Sequence, residues 1–288
     1  MTTTDTPRVP LSVASPRRST ARLLASLALI VFGVAFAAPL VWLLLASVDA
    51  DASYQIKLPG SLSLDNFAAV LTPELTFLPV WNSVIVSGST AILTVVLALL
   101  TAYPLSRFAS RFNRPFLFTI LFASCLPITA IMVPVYAMFV QLGFLDSIPA
   151  VVLFLTATSL PMAVWMMKSF MDGVPVSLEQ AAWLDGASSM VSLWRIVVPL
   201  MRPGIAVVGI FVFLQAWGNF FVPFILLLSP EKTVAAVSIY SFFGQYGAIA
   251  YGQLAAFSLI YSAPVLLLYL LVTRVIGGSF ALDGAVKG

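Results

Sequence analysis

The chain has 288 residues, of which 61% are hydrophobic and only 9% charged, with a mean hydropathy of +1.06. Soluble domains carry about 25% charged residues, so there is too little polar surface here to cover a particle of this size in water. There is no His and a single Cys, Cys125, which excludes His general-base chemistry, Ser-His-Asp triads, a structural zinc site and an intramolecular disulfide.

The charged residues divide the chain into long uncharged windows: Arg22 to Asp49, Glu74 to Arg107, Arg114 to Asp146, Asp146 to Lys168, Arg202 to Glu231 and Lys232 to Arg274. A helix needs about 20 apolar residues to cross a bilayer core. The windows therefore predict six spans, at roughly 23–48, 80–106, 115–141, 148–171, 203–228 and 254–276. Period-two alternation is absent, which argues against a β-barrel. The fold class expected is an all-α integral membrane protein. It divides into an N-terminal tail (1–22), a six-helix domain (23–276) and a C-terminal tail (277–288). The first span begins like a secretory signal, with Arg17 and Arg18 before an apolar run and then Ala35-Phe36-Ala37. Its apolar run continues through Trp42 to Val48, so an uncleaved helix is expected.

Of the fourteen Lys and Arg residues, twelve fall at one set of span ends: Arg8, Arg17, Arg18, Arg22, Arg107, Arg111, Arg114, Lys168, Arg195, Arg202, Arg274 and Lys287. Only Lys57 and Lys232 fall at the other. By the positive-inside rule both termini are expected in the cytoplasm. The basic charge reads as a topology signal, with no nucleic-acid partner.

Prolines recur within the spans (Pro39, Pro104, Pro127, Pro134, Pro161, Pro223 and Pro264). Each frees a carbonyl that a neighbour or water must satisfy, as in bent helices around a pathway. No Asp, Glu, Lys or Arg lies near the middle of a span, which counts against a proton-driven secondary transporter. The inverted repeats expected of a stand-alone transporter are not visible either. Lys168-Ser169 and Lys232-Thr233 lack the glycines of a P-loop, so an ATP-driven version of this protein needs its ATPase on another chain.

The longest segment on the basic side, 172–202, is too polar to span. Ser177 and Gln180 after Pro175 predict a capping box opening a helix that runs to Asp185. Gly186 falls where a helix ends with a positive φ. Ser188 or Ser189 can cap a second helix, with Pro199 as its expected stop. The pattern is a helix-turn-helix lying on the membrane face.

Within it, Glu179-Gln180-Ala181-Ala182-Trp183-Leu184-Asp185-Gly186-Ala187, then Ile196-Val197-Val198-Pro199, resembles the cytoplasmic signature of permease subunits of binding-protein-dependent ABC importers. That signature reads E-A-A-x-x-D-G-A followed by I-x-L-P. Ala181, Ala182, Asp185, Gly186, Ala187, Ile196 and Pro199 agree with it. Gln180 replaces its first Glu, with Glu179 one place earlier, and Val198 replaces Leu. Three further stretches resemble the carbohydrate branch, particularly the smaller permease of maltose-type systems: Leu58-Pro59 with Leu64-Asp65-Asn66-Phe67, Trp217-Gly218-Asn219-Phe220, and the ending Gly284-Ala285-Val286-Lys287-Gly288.

The resemblance implies a multi-pass subunit of the bacterial inner membrane, without catalytic residues, cofactor or metal of its own. It implies a second homologous permease, two ATPase subunits carrying ATP and Mg, and an extracytoplasmic solute-binding protein that delivers a sugar or related polyol. Importers of peptides, amino acids or phosphate esters share the signature. The resemblance also implies that 172–202 couples to the ATPase. Gln215, Trp217 and Asn219 near the middle of span five are candidate pathway residues, since amides at membrane depth either face a wet cavity or bond neighbouring helices. In the maltose-type systems it resembles, substrate contacts lie mainly on the partner permease. Tyr240, Phe242, Phe243, Gln245 and Tyr246 in 229–253 form either a docking surface for the binding protein or an aromatic belt.

Overall fold

A computed structural model describes residues 16–55, 57–244 and 249–284. The ending 285–288, Gln245 and Tyr246 lie outside the described residues. The described residues are almost entirely helical and contain no sheet.

The first helix, α1 (Pro16–Ser47), runs unbroken through Ala35-Phe36-Ala37 and Pro39, with its apolar surface open along most of its length. A short helix α2 (Asp65–Val70) follows. The helix α3 (Leu78–Arg107) begins on a π turn at Pro73–Phe77, where Thr72 accepts a hydrogen bond from the Leu75 N–H. Its partner α6 (Ile148–Asp172) starts on Ser147, whose hydroxyl accepts from the Ala150 N–H. These two pack through small side chains, among them Ala91, Ala98, Ala102 and Ala163, the residues that let membrane helices approach closely.

Span three is not one helix. It is α4 (Asn113–Ala123) and α5 (Ile128–Gln141), bent by 88° at Ser124–Pro127. Pro127 has no N–H to carry the ladder onward and takes an extended ψ of 127°. Span five is also interrupted. The helix α9 (Arg202–Trp217) stops at Gly218, and α10 (Phe221–Leu226) resumes after Asn219. The last helix, α11 (Tyr251–Gly284), lies against α1. Among the described residues, four helices are individually long and apolar enough to cross a membrane, and up to six segments if each bent pair is one crossing.

Of three buried clusters among the described residues, two fill the bundle. One joins α3, α6 and α9 near the 172–202 segment through Leu99, Met167, Met171, Leu193, Val197 and Val208. The other fills the opposite end through Val86, Phe139, Val151, Leu155 and Val222. At that end the Asn66 amide donates to the carbonyls of Asp49 (2.9 Å) and Ser47 (3.3 Å). A Cβ at Gly252 would overlap the Asn66 side chain, so glycine is required there. The L-x-N-F stretch thus ties the end of α1 to the start of α11.

Candidate functional site: the loop helices and the membrane cavity

The 172–202 segment forms two helices at the end of the bundle: α7 (Val176–Leu184) and α8 (Ser189–Leu200). The expected Ser177–Gln180 capping box does not form. Pro175 takes the cap position with its ψ at 123°, α7 starts at Val176, and Ser177 falls inside the first turn. At the other end the pattern D-G-A acquires a physical reason. The Gly186 N–H donates to Trp183 O (3.0 Å) and the Ala187 N–H to Ala182 O (2.9 Å), with Gly186 at φ +85°. This pair of bonds is a Schellman stop, which satisfies the last carbonyls and needs a residue tolerant of left-handed backbone.

Ser188 caps α8, its Oγ accepting from the Val191 N–H at 3.3 Å. Pro199 does not end that helix, which continues to Leu200 before turning 81° into α9. A π turn over Leu193–Val197 immediately precedes the proline, with the Val198 N–H bonded back to Leu193 O. The wider ring accommodates a residue that would otherwise break the i→i−4 ladder.

Glu179 is fully buried, with a side-chain exposure of 0%. Its Oε1 accepts from Arg107 Nε at 2.5 Å and its Oε2 from the Tyr103 hydroxyl at 2.7 Å. Arg107 is itself 1% exposed and also donates to Val174 O at 3.2 Å. Beside them, Ser106 donates to Asp172 Oδ1 (2.5 Å), and Lys168 to Asp172 Oδ2 (2.6 Å). The loop is therefore pinned to the last turns of α3 by a buried, charge-assisted network, and exposed bonds at Asp172 join α3 to the end of α6. Sequence reasoning put Glu179 in the loop and treated Arg107 only as a topology signal. Nothing in local sequence pairs residues 72 positions apart.

The face of the loop turned away from the bundle carries large apolar side chains among polar ones and, among the described residues, is uncovered. Leu184 at its tip is 90% exposed, and Met190, Val191 and Trp194 are exposed beside it. Gln180, Ala181, Asp185 and Gly186 are exposed on this segment, while Ala182, Ala187, Ile196 and Pro199 are half-buried.

The second feature is a half-open cavity of about 310 Å3 in the side of the bundle, where the α4–α5 bend and the α9 end meet α6. Ser124, Thr158, Ser159, Gln215 and Asn219 give its wall polar groups, and Phe211, Leu155 and Met162 apolar ones. Asn219 also accepts from the Val222 N–H through Oδ1 (3.1 Å), which starts α10. Trp217 does not join them. It is 3% exposed on the opposite face, stacked between Phe213 and Tyr261 at 5.6 and 5.4 Å, and Tyr261 donates to its carbonyl.

At the far end, Asp146 holds a left-handed φ of 57° and ties the α5–α6 loop to the segment after α10. It accepts from Lys232 (2.8 Å), from the Ser229 hydroxyl (2.5 Å) and from the N–H groups of Leu228 and Ser229. The Lys232 ammonium, then the Ser229 and Leu228 donors, hold its carboxyl well below the usual carboxylate range. Nearby, Phe220, Phe224 and Tyr240 stack with centroids 4.9 to 5.7 Å apart, and Tyr240 and Phe243 are exposed.

A multi-pass helical bundle with interrupted helices around a polar cavity, and a pinned helix-turn-helix at one end, is the architecture of a membrane transport subunit. The chain belongs to the family described as the binding-protein-dependent transport system inner membrane component, which matches residues 94–277. It is 29% identical over 255 residues to the sulfoquinovosyl glycerol transport system permease protein SmoH of Agrobacterium fabrum, covering 87% of this chain and 88% of that one. It is 31% identical to the diacetylchitobiose uptake system permease protein NgcG of Streptomyces coelicolor, covering 87% and 84%. Its fold matches a chain of a bacterial ABC transporter that imports the acidic polysaccharide alginate, with a TM-score of 0.79 at 20% identity, covering 92% of this chain and 99% of that one. The protein is a multi-pass permease of the inner membrane.

Proposed function

We propose that this permease passes a sugar or related polyol, delivered by an external solute-binding protein, through the cavity bounded by Ser124, Thr158, Ser159, Gln215 and Asn219. A homologous second permease completes the pathway. The 172–202 loop docks on a separate ATPase subunit, one of two, which holds ATP and Mg and closes around them. Both termini and the loop lie in the cytoplasm, in keeping with the charge bias.

One observation carries this reading. The helix entering the loop, α6, carries Thr158 and Ser159, and the helix leaving it, α9, carries Gln215 and ends just before Asn219. From Ser159 to Asp172 is thirteen residues, roughly 20 Å at the helical rise. A displacement of the loop therefore reaches the cavity wall through two rigid rods, without a flexible joint between them. Amides and hydroxyls beside the Phe211 ring suit a ligand with both hydroxyl groups and apolar ring faces. The named sugar-related substrates of the relatives support the same class.

The test is purification of the tagged chain from its own membranes. A P-loop ATPase, a second permease and a binding protein should accompany it, and a sugar ligand of that binding protein should stimulate ATP hydrolysis by the assembly. Uptake of solute by the single purified chain, or stimulation only by an amino acid or peptide, would overturn the reading.

A further inference from the structure

We propose that the loop-bearing end of the bundle holds a binding site for an anionic phospholipid. The end of α3, the first turn of α4 and the last turn of α6 enclose a cavity of about 650 Å3. Three cations line it: Arg111, Arg114 and Lys168. Lys168 is shared with Asp172, the one carboxylate paired with a cation of this group. Arg111 and Arg114 make no ion pair among the described residues, and Arg111 lies over the Phe112 ring at 4.9 Å. Asn113 fixes the segment by donating to the carbonyls of Leu105 and Phe108, so that α4 begins against the cavity. Basic pockets between membrane helices at this depth take phosphate headgroups.

A second cavity decides between a lipid and a free anion. About 490 Å3 in size, it continues along α4 through Thr119, Leu121, Phe122 and Cys125, and it shares Phe118 with the basic one. Phe118 and Trp165, whose rings lie 5.9 Å apart, stand at the junction. From Phe118 to Cys125 is seven residues, roughly 10 Å into the apolar layer. A charged pocket that opens into an apolar groove running toward the bilayer centre fits an amphiphile. The phosphate lies among Arg111, Arg114 and Lys168, and an acyl chain lies over Phe122.

The test uses the chain purified with the subunits that accompany it, stripped of lipid in detergent and offered phosphatidylglycerol, phosphatidylcholine of the same chain length, or inorganic phosphate. Native mass spectrometry reads the lipid retained. Wild type should retain phosphatidylglycerol over phosphatidylcholine by at least about tenfold, and retention should fall roughly fivefold for each arginine removed in Arg111→Gln and Arg114→Gln. Arg111→Lys with Arg114→Lys should keep it, Phe122→Ser should weaken it with both arginines in place, and Lys57→Gln at the opposite end should leave it unchanged. Equal retention of the two lipids overturns the proposal, as does equal retention by the glutamine variants. Displacement by millimolar inorganic phosphate would make the site one for a free anion. Loss of a partner subunit with lipid retention unchanged would make it a protein interface. Should the glutamine variants aggregate, the lysine and Phe122→Ser variants still decide.

Discussion

Removing the Glu179 carboxylate isolates the contribution of the buried network to holding the loop. In Glu179→Ala, Arg107 stays almost fully buried without its counter-ion, and the Tyr103 hydroxyl loses its acceptor. Breaking a buried pair by deleting one partner costs about 3–5 kcal/mol, because the surviving charge is left uncompensated. The membrane helices have no reason to unfold in response. The cost is relieved locally, by release of α7 and α8 from the end of the bundle. At 3 kcal/mol the ratio of docked to released loop shifts by roughly 150-fold. Trypsin cleavage at Arg195, exposed on α8, reads that ratio in the purified protein and should accelerate sharply. Uptake by the assembled transporter should fall in parallel. Glu179→Gln keeps an acceptor for Tyr103 and should lie between. The pair replacement Glu179→Leu with Arg107→Met should restore docking, since an apolar pair of similar volume avoids burying any charge. Wild-type cleavage and uptake in Glu179→Ala would refute the reasoning, and so would a pair replacement worse than the single one.

Four further outcomes are expected. Gly186→Val places a β-branched residue at φ +85° and should cost about 1–3 kcal/mol, with loss of the ATPase on purification while the partner permease is retained. Ser188→Ala should cost at most about 1 kcal/mol. With Cys125 replaced by Ser, single cysteines at Ser110 and Ser189 should be shielded from an impermeant thiol reagent in intact cells and one at Ser61 should react; the reverse pattern would place the loop outside. The carboxyl of Asp146 is depressed in the folded protein, so its stabilisation is complete above the ordinary Asp range and is lost as pH falls below about 4. Asp146→Asn should flatten the dependence of melting temperature on pH in that acid window, and an unchanged slope would deny Asp146 that role.

The helical membrane class was legible because charge is excluded from the bilayer core, and Arg107, Lys168 and Arg274 mark the ends of apolar stretches in plain sequence. Bends are harder to read, since hydropathy has no direction. The only hints at Ser124–Pro127 were a proline and a window from Arg114 to Asp146 longer than one crossing requires. Trp217 was misjudged for a related reason. In a helix apolar all round, the cavity side cannot be phased from the pattern, and only packing against Phe213 and Tyr261 fixes it. Ser177 and Gln180 made a valid capping pattern, but Pro175 started the helix two residues sooner. Gly186 was read correctly because a left-handed turn is a strictly local demand.

The loop's two faces also differ in what they owe to their own chain. Glu179, Ser192, Leu193 and Val197 are buried and set the shape, whereas Gln180, Leu184 and Asp185 are exposed. On the proposed function, these exposed residues are an address written on a finished scaffold, and exchanging Gln180, Leu184 and Asp185 as a set should redirect the loop to a different motor while leaving insertion and folding intact.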